Sequence, residues 1–217
     1  MSDSVDYAQL RRDYLQPPFN KNMVDSDPFK QFEIWFKQIQ NVSDVDPNAM
    51  TLATVSANGI PNARVVLLKG VENGGFLFYT NYQSDKGVDM DHNPKVCLNF
   101  YWPQLSRQVR IVGSVERLSD DENTAYFQSR PRESQIGAWS SPQSTPIKNR
   151  DILEKRFKDM ELRFEKSEKI ERPKQWGGYK VIPFSIEFWQ GRPSRLHDRI
   201  LYFKDKKNNW NIQRLAP

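Results

Sequence analysis

The sequence predicts an α+β fold, mainly β with inserted helices, whose antiparallel strands close into a barrel. Three observations lead there. Asn58-Gly59 lies between two strand-like runs, a strong short-range hairpin signal. Further runs with a period of two follow along the chain, with helical segments inserted irregularly rather than in the βαβ alternation of a parallel sheet. There is also no Gly-rich phosphate loop, no metal-ligand spacing and no nucleophile elbow, which argues against dinucleotide folds, zinc sites and serine hydrolysis.

Residues 1–25 are polar and interrupted by Pro17-Pro18, and read as a loosely attached N-terminal arm ahead of a domain spanning 26–217. Asp27-Pro28 predicts a capped helix start, and Phe29, Phe32, Trp35, Phe36 and Ile39 form its apolar stripe. Thr51 to Ser56 and Pro61 to Lys69 flank the Asn58-Gly59 turn. Phe76 to Asn81 follows Glu72-Asn73-Gly74-Gly75, so these three strands are expected to form a meander. A short helix from Ser84 to about His92 stops at Asn93-Pro94, and strands resume at Lys95 to Trp102 and Gln108 to Leu118. Asp120 to Ser129 reads as a helix stopped by Arg130-Pro131. Asn149 to Lys166 reads as a longer one, with Leu153, Phe157, Met160 and Phe164 on one side. Tyr179 to Trp189, Arg195 to Lys204 and Trp210 to Leu215 complete the strands.

At 217 residues the chain is long enough to bury roughly 70% of its unfolded surface in one domain. A single cysteine, Cys97, rules out an intrachain disulfide and suits a reducing cytosol, with the thiol packed in Val96 to Trp102. The first residues lack the cationic start and apolar run of a secretory leader, and no stretch approaches a membrane span, so a soluble cytoplasmic protein is expected. The net charge of +5 is a small excess of 32 basic over 27 acidic residues, scattered rather than blocked. That pattern fits a solvated surface with some arginines kept for small anions at least as well as it fits nucleic-acid binding.

The richest chemistry lies in Phe188 to Arg199, where Trp189, His197 and Arg192, Arg195 and Arg199 fall within twelve residues. If Arg195 to Arg199 is extended, Arg195, His197 and Arg199 share one face, two guanidinium forks flanking an imidazole whose neutral form they favour. Arg64 to Lys69 is apolar on both faces between two cations, which suggests a strand buried on both sides at a homodimer interface. Arg64 and Lys69 then point to opposite sides. Tyr126 and Arg130 are one helical turn apart, with Ser134 beyond Pro131, a phenol, guanidinium and hydroxyl able to hold a phosphate. Gln108 and Arg110 share a strand face, and Gln143-Ser144 sits in the polar loop Ser140 to Thr145. Each of these groups also has an ordinary structural use as a cap, a solvated strand end or a surface hydrogen bond.

Several long segments, in order, carry a resemblance: Arg64-Val-Val-Leu-Leu-Lys69, Phe78-Tyr-Thr-Asn81, Ser129 to Trp139, Phe188-Trp-Gln-Gly191, Arg195-Leu-His-Asp-Arg199 and Arg214-Leu-Ala-Pro217. From about Arg11 to Pro217 the sequence resembles the pyridoxine (pyridoxamine) 5′-phosphate oxidase family. The resemblance implies a split β-barrel that binds FMN, with two subunits of a homodimer building each active site. It assigns FMN contacts to Arg64, Val65, Val66, Leu67, Leu68, Lys69, Tyr79, Thr80, Lys86, Gln108, Gln143, Ser144, Trp189 and Arg199. It assigns the phosphate of the substrate to Lys69, Tyr126, Arg130 and Ser134, and its ring to Arg195, Leu196 and His197, with Arg195 and His197 catalytic. Arg11, Arg12, Asp13 and Tyr14 resemble a segment able to fold over bound ligand, which makes the arm a lid. Asp85 departs from the basic residue that many relatives place before the flavin-contacting lysine.

The implied reaction is oxidation of pyridoxine 5′-phosphate and pyridoxamine 5′-phosphate to pyridoxal 5′-phosphate, with O2 reduced to H2O2 and neither nucleic acid nor membrane as partner. Two alternatives stay open on sequence: a split-barrel FMN reductase acting on another substrate, and a non-catalytic vitamin-phosphate binding protein.

Overall fold

The computed structural model describes residues 6–7, 13–43 and 46–217. Its elements in chain order are α1 (Pro28–Gln40), β1 (Ala49–Val55), β2 (Pro61–Leu67), β3 (Gly70–Glu72), β4 (Gly75–Asn81), α2 (Asp85–His92), β5 (Lys95–Trp102) and β6 (Arg107–Arg117). Then follow α3 (Asp120–Ser129), α4 (Arg132–Ser140), α5 (Arg150–Phe164), β7 (Trp176–Gln190), β8 (Asp198–Lys204) and β9 (Trp210–Leu215). The strands are hydrogen-bonded in the order β2-β1-β5-β6-β7-β4-β3, with β8 pairing β7 and β9 pairing β8.

By contacts the chain divides into two compact units. One comprises the described residues up to Pro47 with Asn99–Ile111 and Ser185–Pro217. Its core is aromatic: Trp35 meets Phe188 edge-on at 5.2 Å, Phe188 meets Tyr202 at 5.5 Å, and Phe32 packs on Phe100 at 5.2 Å. Helix α1 starts as expected, Asp27 accepting from the Phe29 N–H at 2.9 Å with Pro28 in the first turn. In place of a loose arm, residues from Phe19 onward are tied in. Phe19 is buried and its N–H donates to the Asp198 carboxylate at 2.9 Å, while the Asp25 carbonyl accepts from the Tyr202 hydroxyl at 2.6 Å.

The second unit comprises Asn48–Leu98 and Val112–Phe184. Strands β1 and β2 form the expected hairpin, Val55 opposite Pro61, with Gly59 at φ +78° supplying the left-handed turn residue. The three-strand meander does not form. Chain direction breaks at Leu68, which turns inward while its N–H donates to the Asn48 carbonyl, so β2 pairs only β1. Strand β4 instead pairs β3 and β7, Phe76 lying opposite Val181 and Asn81 opposite Trp176. Helix α3 begins in a reciprocal capping box, Ser119 with Glu122. Helix α4, not anticipated from sequence, packs with α5 over a cluster of Phe127, Ile136, Phe164, Ile170 and Trp176.

Strand β8 starts at Asp198 rather than Arg195. Pro193–Arg195 forms a 3-10 turn in which Ser194 and Arg195 adopt φ +56° and +62°, so the strand alternation expected for Arg195, His197 and Arg199 does not apply.

Candidate active site

In the second unit, two adjoining cavities of about 240 and 360 Å³ share Tyr79, Thr80, Arg130, Gln143 and Trp176 in their walls. The smaller is also lined by Val65, Val66, Leu67, Lys69, Lys86 and Tyr126, and the larger reaches Ser134. Eleven of the expected contact residues are thus brought together here. Tyr126 and Arg130 meet for a different reason from the one expected. Helix α3 ends at Ser129, because Pro131 forces Arg130 out of helical geometry to ψ 149°, yet both side chains still reach the cavity.

Three parallel rings form one wall. Tyr126 stacks on Tyr79 at 3.7 Å, Tyr79 on Trp176 at 5.4 Å, and the Arg130 guanidinium lies 4.6 Å over Trp176. Burial pushes the Tyr79 phenol up to about 12, so it stays a neutral hydroxyl. Arg130 Nη1 is buried with no hydrogen-bond partner. A guanidinium nitrogen left this way asks for an acceptor, and its neighbours Tyr126 and Trp176 leave an anion as the natural one.

Lys86 projects from the first turn of α2. Its Nζ donates to Gln143 Oε1 at 3.2 Å, the same oxygen that accepts from Thr80 Oγ1 at 3.0 Å, which frees the Gln143 amide to donate onward. Burial and then the nearby Arg64 lower the Lys86 ammonium below the usual lysine range, while Asp85 opposes them. Ser144 accepts from the Asp85 N–H at 3.2 Å, so Asp85 contributes its backbone as well as its charge. Arg64 is not in the cavity wall; Nη1 donates to Thr54 Oγ1 at 2.6 Å, and the Thr54 hydroxyl donates to buried Asp89 at 2.6 Å. Arg64 and Lys69 accordingly face different surroundings. Leu68 is in the core and Lys69 is exposed at the cavity rim.

The remaining expected residues belong to the first unit. The His197 ring lies 4.7 Å from Trp189 and 5.5 Å from Tyr14, and its Nδ1 accepts from the Arg192 N–H at 3.1 Å. Arg199 Nε donates to the buried Glu187 carboxylate at 2.7 Å, which also accepts from Arg110, and Arg199 Nη1 donates to the Ala216 carbonyl at 2.8 Å. Burial alone would raise the Glu187 carboxyl, but the bonds from Arg199 and Arg110 outweigh it and hold it below the ordinary value. Gln108 lies half-buried on β6, and Asp13, Arg195 and Leu196 are exposed. Arg11 and Arg12 fall outside the described residues.

Trp176 was the residue sequence reasoning missed. A signal existed in Gly177-Gly178: a Cβ at Gly178 would sit 2.7 Å from the Tyr79 ring and one at Gly177 2.0 Å from the Tyr82 hydroxyl, so the pair marks a wall where rings approach backbone.

This donor set of ammonium groups, amide, hydroxyls and an unpartnered guanidinium, set against stacked rings, fits a planar cofactor carrying a phosphate. The fold is that of an FMN-binding split-barrel protein. The family pattern described as pyridoxamine 5′-phosphate oxidase matches residues 29–164, and that of the pyridoxine 5′-phosphate oxidase C-terminal dimerisation region matches 176–217. The chain is 51% identical over 210 residues to the pyridoxine/pyridoxamine 5′-phosphate oxidase of Cupriavidus pinatubonensis, covering 97% of this chain and 98% of that one. It is 50% identical over 212 residues to the enzyme of the same name from Burkholderia mallei, with the same coverage. Among solved structures, PhzG from Burkholderia lata 383, in complex with tetrahydrophenazine-1-carboxylic acid, superposes with a TM-score of 0.86 at 24% identity, over 93% of this chain and 99% of that one. An FMN-binding protein from Nostoc punctiforme described as pyridoxamine 5′-phosphate oxidase-related gives 0.70 at 20% identity, over 89% and 100%. The chain belongs to the pyridoxine/pyridoxamine 5′-phosphate oxidase family of FMN-dependent enzymes.

Proposed function

We propose that this protein oxidises pyridoxine 5′-phosphate and pyridoxamine 5′-phosphate to pyridoxal 5′-phosphate, as a homodimer. The observation that carries the reading is the cavity in which the unpartnered Arg130 nitrogen joins Lys69, Lys86 and Tyr126. Bound FMN supplies the hydride acceptor for the substrate's 4′ carbon and passes the electrons to O2. Lys69, Tyr126, Arg130 and Ser134 hold the substrate phosphate, and Lys86, Gln143 and Ser144, backed by Arg64, hold that of the cofactor. Arg195 orients the substrate ring and supports the charge that develops on it, contributions that need no covalent intermediate.

Purified protein carrying a yellow chromophore should bleach when pyridoxine 5′-phosphate is added without oxygen, and should recover on aeration with formation of H2O2 and the aldehyde. Unphosphorylated pyridoxine should bleach it far more slowly. A chromophore that ignores both compounds would overturn the assignment.

A further inference from the structure

The turn before β8 holds Ser194 and Arg195 consecutively in the left-handed region, which side chains with a Cβ disfavour and which persists only where surroundings over-determine it. Its result is local and chemical. The chain folds back so that the Arg192 N–H points at Nδ1 of His197, 3.1 Å away. A backbone amide can only donate, so Nδ1 must carry the lone pair, and in a neutral imidazole the proton then sits on Nε2. The edge-on Tyr14 and tilted Trp189 rings restrict the imidazole plane.

The charged groups around the ring agree. Burial, and then the charge of Arg195, lower the imidazole below its usual range. The one carboxylate adjacent in sequence, Asp198, is engaged elsewhere, accepting from Arg214 Nη1 at 2.7 Å and the Phe19 N–H at 2.9 Å with Arg192 Nε at 3.5 Å. It is therefore not placed to hold a proton on Nδ1.

We propose that His197 serves the site as a fixed hydrogen-bond donor through Nε2 and not as a base, with the Arg192 amide as the positioning group that sets its tautomer. The inference rests on the reading that His197 meets the ring of the vitamin, where the acceptor is the oxygen of a 3-hydroxypyridine. For neutral His197 to accept a substrate proton at Nε2, its own proton would have to move to Nδ1 and the Arg192 bond break.

Only two histidines occur, so nitrogen NMR of holoprotein labelled in histidine is readily assigned with His92→Gln, a change at an exposed position on α2. Once the ring is neutral, the expected spectrum has a pyridine-like Nδ1 and a protonated Nε2, unchanged in tautomer when pyridoxal 5′-phosphate is added. A protonated Nδ1 would overturn the proposal. Independently, His197→Gln presents an amide that can donate but cannot accept a proton at neutral pH. Its kcat should stay within about tenfold of the parent with the same pH profile, whereas loss of a base costs roughly 10²–10⁴-fold. A yellow, folded His197→Gln protein that loses about 100-fold or more would sink the donor role. If the parent fails to oxidise the vitamin phosphates, the functional reading fails while the nitrogen spectrum still decides the tautomer.

Discussion

Arg130 concentrates the logic of the site in one residue. Burial lowers its guanidinium below the usual arginine range, one nitrogen lacks a partner, and the plane rests on Trp176. Arg130→Met keeps the stem and removes the charge. Losing a hydrogen bond to an ionic partner costs about 1.5–3 kcal/mol, so KM for pyridoxine 5′-phosphate should rise roughly 10- to 100-fold, with kcat less affected; initial rates across substrate concentration check this. Lys86 gives a pH prediction. Its ammonium must be charged to pair with a phosphate, and burial together with Arg64 depresses its affinity for the proton, so flavin affinity should begin to fall at a lower pH than a free lysine would dictate. Fluorescence titration of apoprotein with FMN across alkaline pH measures it, and Lys86→Arg should flatten the profile. Tyr126 and Arg130 were legible from their spacing, but the rule that found them was helical adjacency, and what joins them is a helix end followed by an extended residue. The downward push of nearby cationic charge on His197 was legible; the bond from Arg192 to its Nδ1 was not, because it depends on two left-handed residues in a turn that read as strand.

At the scale of elements, α2 is constrained from two sides. It brings Lys86 to the cavity and, one turn later, Asp89 to the Thr54 hydroxyl that steadies Arg64. Gly87 lets it lie close: a Cβ there would sit 2.1 Å from the Tyr82 carbonyl oxygen, a backbone atom that cannot swing aside. Gly87→Ala should therefore cost about 1–3 kcal/mol as overpacking, lowering the Tm and weakening flavin retention together; thermal unfolding with and without added FMN checks both. Helix α1 was readable from its Asp27-Pro28 cap and α3 from its Arg130-Pro131 stop, while the Ser119–Glu122 capping box came only with the structure. Helix α4 was not, since it follows Pro131 directly, has no side-chain cap and mixes polar with small residues where a strong apolar stripe would otherwise announce it. Ser134, expected just beyond Pro131, is held by α4 at the larger cavity.

For the molecule as a whole, β2 ends the strand order with Val65 67% and Leu67 37% exposed, in a chain that carries its family's dimerisation region. An apolar edge strand left in water is a hazard that proteins cover. Val65→Glu should shift the purified protein toward half the parental mass by light scattering and lower its flavin content, while a parental mass would count against β2 as the interface. The doubly buried strand expected from Arg64 to Lys69 is half-exposed in one chain, and which strand β4 would join depended on pairings distant in sequence that no local pattern encodes. The parallel rings of Tyr79, Tyr126 and Trp176 also make the protein its own optical gauge. An excited indole within a few ångströms of an isoalloxazine hands over its energy instead of emitting, so Trp176 should darken as the cavity fills and brighten as it empties, and Trp176→Phe would remove that component from a stopped-flow trace of cofactor exchange.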